Sequence, residues 1–268
     1  DNKAAVAAVT TLLSELRRTG GRHGDVLVAF VPDEEVGLRG AKALDLARFP
    51  ADWAYTIDGG ARGEVVWETF NAASVEIDVT GVTAHPMSAK GVLVNPILIA
   101  SDIMASFDRA QTPENTEGRE GYWWFNGIRG DQNEAHLAMS IRDFDPHAFA
   151  ERKRAVERAV EEARARHPRA TIACSIEDRY GNIDAALGED RRCVDLVLRA
   201  MRGLGITPSI VAMRGGTDGS ALSARGLPTP NFFTGGLNFH SRFEFLPLSA
   251  FADAYRVAMA VVRLAAAT

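Results

Sequence analysis

The sequence predicts an α/β domain interrupted by an inserted α+β domain. Two early runs, VLVAFV at 26–31 and WAYTI at 53–57, are continuously apolar, the pattern of strands covered on both faces in an α/β sheet. From about residue 71 the apolar residues alternate strictly with polar ones, as in an antiparallel sheet with one wet face. From about residue 181 the first pattern returns. The expected boundaries are 1–70 and 181–268 for the α/β domain and 71–180 for the insert.

In chain order, a helix is expected over 2–18, where Val6, Val9, Leu13 and Leu16 recur at helical spacing behind Asp1 as N-cap. The strand at 26–31, a helix at 41–48 and the strand at 53–57 follow. In the insert, SVEIDV (74–79) sets Val75, Ile77 and Val79 against Ser74, Glu76 and Asp78. LAMSIRDF (137–144) and TIACSIED (171–178) repeat the alternation, and a further strand is expected around YWWFNGI (122–128). Helices at 94–107, with Pro96 near its start, and at 146–167, with a charged solvated face, separate them. The order β–α–β–β–α–β predicts a compact sheet with two helices on one face. A helix at 189–203, strands at 208–213 and 230–233 and a helix at 248–266 complete the chain.

At 268 residues the chain can bury a substantial core, and its 46% hydrophobic and 24% charged content is that of a soluble globular protein. A net charge of −5 argues against a nucleic-acid surface, and no apolar stretch is long enough to span a bilayer. Two cysteines cannot build a disulfide scaffold for a chain of this length, which favours a reducing cytoplasm. They are expected to be a core thiol, Cys174, and a helix-surface thiol, Cys193.

The chemistry-bearing residues sit at element ends. Asp33, Glu34 and Glu35 follow the 26–31 run, where open α/β sheets form ligand crevices. Asp58 stands at the tip of the next strand, before Gly59 and Gly60, and His240 lies in the loop GGLNFHSRFEF. One histidine with several carboxylates suits a divalent cation such as zinc or manganese. Taken singly, each has an ordinary reading: Asp1 as a cap, Asp58 as a turn residue, His240 as a loop histidine. MRGGTDGSALSARG (213–226) reads as strand, glycine-rich turn and helix start, so its free amides are expected to face an anion, with Arg214 as a fork for a carboxylate. It lacks the lysine of a phosphate-binding loop. His85, in VTAHPMSAKG, reads as a surface residue or an oxyanion donor, and Arg142 as a surface charge on a wet strand face.

Seven collinear motifs then carry a resemblance: VAFVPDEEVG, WAYTIDGG, NAASVEI, AHPMSAKGVLVNP, IRDFD, RGGTDGSALSARGLPTPNFFTGG and NFHSRFEF. Together they resemble the peptidase T family, the tripeptide aminopeptidases among the dizinc exopeptidases related to carboxypeptidase G and the aminoacylases. The resemblance implies an α/β zinc-exopeptidase catalytic domain with an inserted lid that also dimerises, acting on small peptides in the cytoplasm. It implies two zinc ions, with manganese or cobalt as substitutes. Asp1 would bridge the metals, Glu35 and His240 would ligate one and Asp58 the other. Glu34 would be the catalytic base, His85 would polarise the scissile carbonyl, and Arg142 and Arg214 would recognise substrate.

The family's His-x-Asp motif would fall ahead of Asp1, so the sequence reads as the C-terminal part of a longer enzyme, inactive in isolation. An exposed sheet edge is expected where further strands would pair. Two other readings stay open: another hydrolase of the superfamily (dipeptidase, carboxypeptidase or N-acyl amino acid deacylase), or a non-catalytic relative.

Overall fold

The computed structural model describes residues 2–266. It divides into two compact units, Asp1–Thr69 with Gly181–Thr268, and Phe70–Tyr180. The first segment holds α1 (Lys3–Thr19), α2 (Arg39–Ala43), β1 (Thr56–Ile57) and β2 (Glu64–Thr69). The insert runs β3 (Asn71–Thr80), α3 (Pro96–Ala105), β4 (Tyr122–Gly130), β5 (Glu134–Asp143), α4 (Pro146–Arg166) and β6 (Thr171–Tyr180). The chain returns through α5 (Ile183–Leu187), α6 (Arg192–Gly203), β7 (Ser209–Met213), α7 (Asp218–Ala224), β8 (Asn231–Phe232) and α8 (Leu248–Ala265).

The first unit is a mixed sheet in the order β1-β8-β2-β7. β1 runs parallel to β8 and β2 to β7, while β2 and β8 are antiparallel. Its core gathers Leu12 and Leu16 of α1, Val65 of β2, Val194, Val197 and Met201 of α6, Phe232 and Phe233, and Val257 of α8. The buried stripe of α1 is Ala8, Leu12 and Leu16, and Val6 is exposed, so the apolar face is rotated from the expected one. Cys193 is buried on α6, against the expected surface position, while Cys174 is only partly buried on its strand.

The largest departure is at 26–31. This run enters no strand ladder, and its Leu27 and Phe30 are exposed. A run apolar on both faces becomes a strand only where neighbours take up its amides and carbonyls, and no described residue does so here. The 53–57 strand is likewise paired only over Thr56–Ile57. The helix expected over 41–48 is α2 followed by a separate 3₁₀ turn, Leu46–Arg48, capped by Asp45. β2 and α5 were not among the expected elements, whereas α7 is the helix start read in 213–226.

The second unit follows its pattern closely. Its antiparallel sheet has the order β4-β5-β3-β6, with Val75 opposite Met139 and Ile176, and Ile77 opposite Leu137 and Cys174. Val75, Ile77, Val79, Leu137 and Ile141 are fully buried, packed with Ile99 and Ile103 of α3 and Val156 and Val160 of α4. Each helix begins with a proline held by a cap. The Asn95 side chain accepts from the Ile97 amide before α3, and Asp145 accepts from Ala148 before α4. Among the described residues, no helix is long and apolar enough to cross a membrane.

Candidate functional site

The first unit brings acidic residues from three loops into one neighbourhood. After the 26–31 run, Pro32–Gly40 folds back on itself: the amides of Gly37 and Leu38 bond the Glu34 carbonyl, and those of Arg39 and Gly40 bond Asp33 and Pro32. A Cβ at Gly40 would come within 2.4 Å of the Pro32 oxygen, so glycine is what lets this loop close. Asp33 sits in the left-handed region at φ 63°, turning the backbone just before the two glutamates.

Asp58 follows β1. Its amide bonds both the Phe232 carbonyl and the Asn231 side chain, whose own amide returns a 2.6 Å bond to the Asp58 carbonyl. Thr56 completes the clamp with a 2.8 Å bond to Asn231. Beyond it, Gly59 and Gly60 adopt positive φ and accept from the amides of Thr234 and Gly235. His240 rides on a loop pinned at its base by paired backbone bonds between Leu237 and Phe245, and it too is left-handed, at φ 59°.

These loops meet. His240 Nε2 lies 2.8 Å from Glu35 Oε1. Burial, then the charges of Asp58, Asp218 and Glu35, push the half-buried Glu34 from its ordinary 4.5 up to about 7, with His240 opposing. Burial first, then Glu35 and Asp218, also raise Asp58. Asp218, raised by burial to about 6, has an Oδ1 shielded from solvent with no hydrogen-bond partner. Like charges forced together out of water hold their protons longer.

The structure thus gathers Glu34, Glu35, Asp58 and His240. Asp1 lies outside the described residues. Among those described, no three histidine, cysteine or acidic side chains stand in an arrangement that could hold a metal ion. The donor set itself is all oxygen and imidazole nitrogen, suited to zinc or manganese. The like charges crowded around Glu34 are what a cation would relieve.

Arg214 follows β7 in the same unit and is partly buried. Amides of the turn that follows it are taken up within the chain. Thr217 caps α7 by accepting from the Gly219 amide at 3.0 Å, Ser220 accepts from the Thr217 amide, and Asp218 adds a negative charge at that end. Asp218, whose charge acts on both Glu34 and Asp58, was not singled out in the sequence; the acid directly behind the cap threonine was its only signal.

His85 and Arg142 belong to the second unit. His85 is exposed, and its Nδ1 lies 3.2 Å from the Met87 amide. Accepting that N–H leaves Nε2 as the proton-bearing nitrogen, able to donate to an oxygen. Arg142 lies over the Tyr180 ring and donates to the Ile141 carbonyl at 3.0 Å, so it is more constrained than a plain surface charge.

The model of Peptidase family M20/M25/M40 matches residues 1–264. The chain is 56% identical over 266 residues to the Peptidase T-like protein of Yersinia pestis, and 44% identical over 267 residues to Peptidase T of Escherichia fergusonii. Each alignment covers 99% of this chain, which spans about 65% of the length of either relative. A tripeptidase from Staphylococcus aureus shares the fold at a TM-score of 0.86 and 22% identity, over 100% of this chain and 71% of that one. With the family model matched from residue 1 to residue 264, this chain belongs to peptidase family M20/M25/M40.

Proposed function

We propose that this chain is part of a metallo-aminopeptidase that releases the N-terminal residue from tripeptides. The observation that supports it best is the convergence of Glu34 with Glu35, Asp58 and His240, in a chain related to Peptidase T. In this reading Asp1, Glu35 and His240 would hold one zinc ion and Asp1 and Asp58 the other, with manganese or cobalt able to substitute. Bound cations would supply a water whose pKa is lowered toward neutrality.

Glu34 does the proton work. It is half-buried beside Asp58 and Glu35, next to where the cations would sit, and so would face the water they activate. It accepts a proton from the attacking water as the water oxygen adds to the scissile carbonyl carbon. It then delivers that proton to the amine nitrogen as the C–N bond breaks. Glu35, next in sequence, turns to His240 instead, so adjacent carboxylates serve proton transfer and ligation separately. His85 would offer its Nε2–H to the carbonyl oxygen as negative charge builds there, and Arg142 and Arg214 would recognise substrate. The inserted unit would act as lid and form a homodimer, and the two free cysteines suit a cytoplasmic setting.

The test is Glu34→Gln in the metal-loaded protein. Metal content by atomic emission should be unchanged, while tripeptide hydrolysis falls by about 10³-fold or more. Turnover retained within tenfold would refute the assignment. Chromatography of products from tripeptides, dipeptides, N-acetyl amino acids and N-carbamoyl amino acids separates the tripeptidase reading from a related hydrolase.

A further inference from the structure

We infer that Asn231 is a positioning residue, whose buried carboxamide holds Asp58 in the orientation that takes a cation. The inference rests on the proposed reading of Asp58 as a metal ligand and goes beyond it by naming what aims that ligand. The pairing of β1 with β8 ends at Ile57 and Phe232, so Asp58 lies one residue past the ladder. Directly after it come Gly59 and Gly60, both at positive φ, a segment with little backbone restriction of its own. The Asn231 side chain supplies what the ladder does not. Its Oδ1 accepts from the Asp58 amide at 3.0 Å, and its Nδ2 donates to the Asp58 carbonyl at 2.6 Å. Gripping the N–H and the C=O of one residue fixes the two soft dihedrals between them, and with them the direction of its side chain.

Closure of the sheet does not require this clamp, because the Phe232 carbonyl already accepts from the Asp58 amide at 3.2 Å. Asn231 is 2% exposed, and a carboxamide so deeply buried costs free energy unless its polar atoms are bonded. Its bonds go to Asp58 and to the Thr56 hydroxyl, 2.8 Å from Oδ1. The clamp also has a force to resist. The negative charges of Glu35 and Asp218 act on Asp58, and like charges drive a free carboxylate away. Leucine, close to asparagine in shape, could fill the same space in the core but could not hold Asp58 against that repulsion.

The test compares zinc binding by the full-length protein and its variants, measured by competition with a chromophoric chelator, with urea unfolding of the metal-free forms alongside. Asn231→Leu should weaken one of the two zinc ions by about tenfold more than the other. Val257→Ala, which opens a cavity in the same core, is the control for a merely structural effect: it should lower the urea midpoint and leave both zinc affinities within about twofold. Should the leucine variant fail to fold, Thr56→Val decides instead. It removes only the hydroxyl that steadies Asn231, and it should weaken the same ion by about threefold. Zinc binding unchanged in the deciding variant, or both ions weakened alike, would overturn the clamp. A folded full-length protein that binds no zinc would overturn the clamp and the metal reading together. One that binds two zinc ions and cleaves no tripeptide would overturn the tripeptidase reading alone.

Discussion

Asp33 turns the chain at φ 63° immediately before Glu34 and Glu35, and that turn lets two neighbouring carboxylates take different partners. Aspartate tolerates the left-handed region through its short polar side chain, whereas a β-branched residue meets its own backbone there. Asp33→Val is therefore expected to destabilise the chain by about 1 kcal/mol in urea unfolding, and Asp33→Gly by no more than about 0.5 kcal/mol. A valine variant as stable as the glycine one would remove strain as the reason for the residue. Asp33, Glu34 and Glu35 draw notice in the sequence as three acids after an apolar run, but an acidic triplet alone reads as a solvated turn, and the separate roles of Glu34 and Glu35 came from the family resemblance. The backbone twist that separates them could not be read there, because φ is decided by the closure of the whole 32–40 loop. Asp218 was hidden differently. Behind a threonine cap, an acid reads as helix-dipole complement, and only the packing of Gly219 against Thr56 reveals where it stands.

Elements differ in how much of their reason lies inside them. β3 carries its own instructions: Val75, Ile77 and Val79 are buried and Glu76 and Asp78 exposed, so alternation fixed both strand and face. Ile77 is fully buried in the insert's core, and Ile77→Ala should cost about 3 kcal/mol by thermal or urea unfolding. At the N-terminus of α4, Asp145→Ala removes the 2.7 Å bond to the Ala148 amide and should cost about 1 kcal/mol. A loss as large for the cap as for the core residue would mean that α4 supports more of the insert than its packing suggests. The 26–31 run is the contrary case. Its apolar residues announce two faces to be covered, but pairing depends on a neighbour that no local pattern names, and Phe30 stays 58% exposed. β2 escaped notice for a related reason. Its burial comes from sitting between β8 and β7, not from any alternation of its own sequence, EVVWET.

At the scale of the molecule, the acidic cluster sets a pH dependence opposite to the usual one. Most native carboxylates titrate below their unfolded values, so folding weakens in acid. Glu34, raised from 4.5 to about 7, and Asp218, raised from 3.8 to about 6, run the other way. Between about pH 4 and 7 the folded state binds more protons at these two positions than the unfolded state does. Their contribution to stability is therefore complete below pH 4 and is lost as pH rises toward 7. Asp190, held down to about 2 by Arg192 on the surface, titrates below this window and does not mask it. In the metal-free chain, the urea midpoint should fall between pH 5 and 7 more steeply in the parent than in the Glu34→Gln, Asp218→Asn double variant, whose neutral side chains have no such protons to lose. Zinc should reverse the parent's loss, because a cation replaces the protons as the partner of the remaining charge. At a free concentration one hundred times its dissociation constant, it would stabilise the fold by about 2.7 kcal/mol if it binds the folded state alone. Equal slopes in parent and double variant would show that these carboxylates are not crowded in solution, and with that the shared neighbourhood of Glu34, Asp58 and Asp218 would fall.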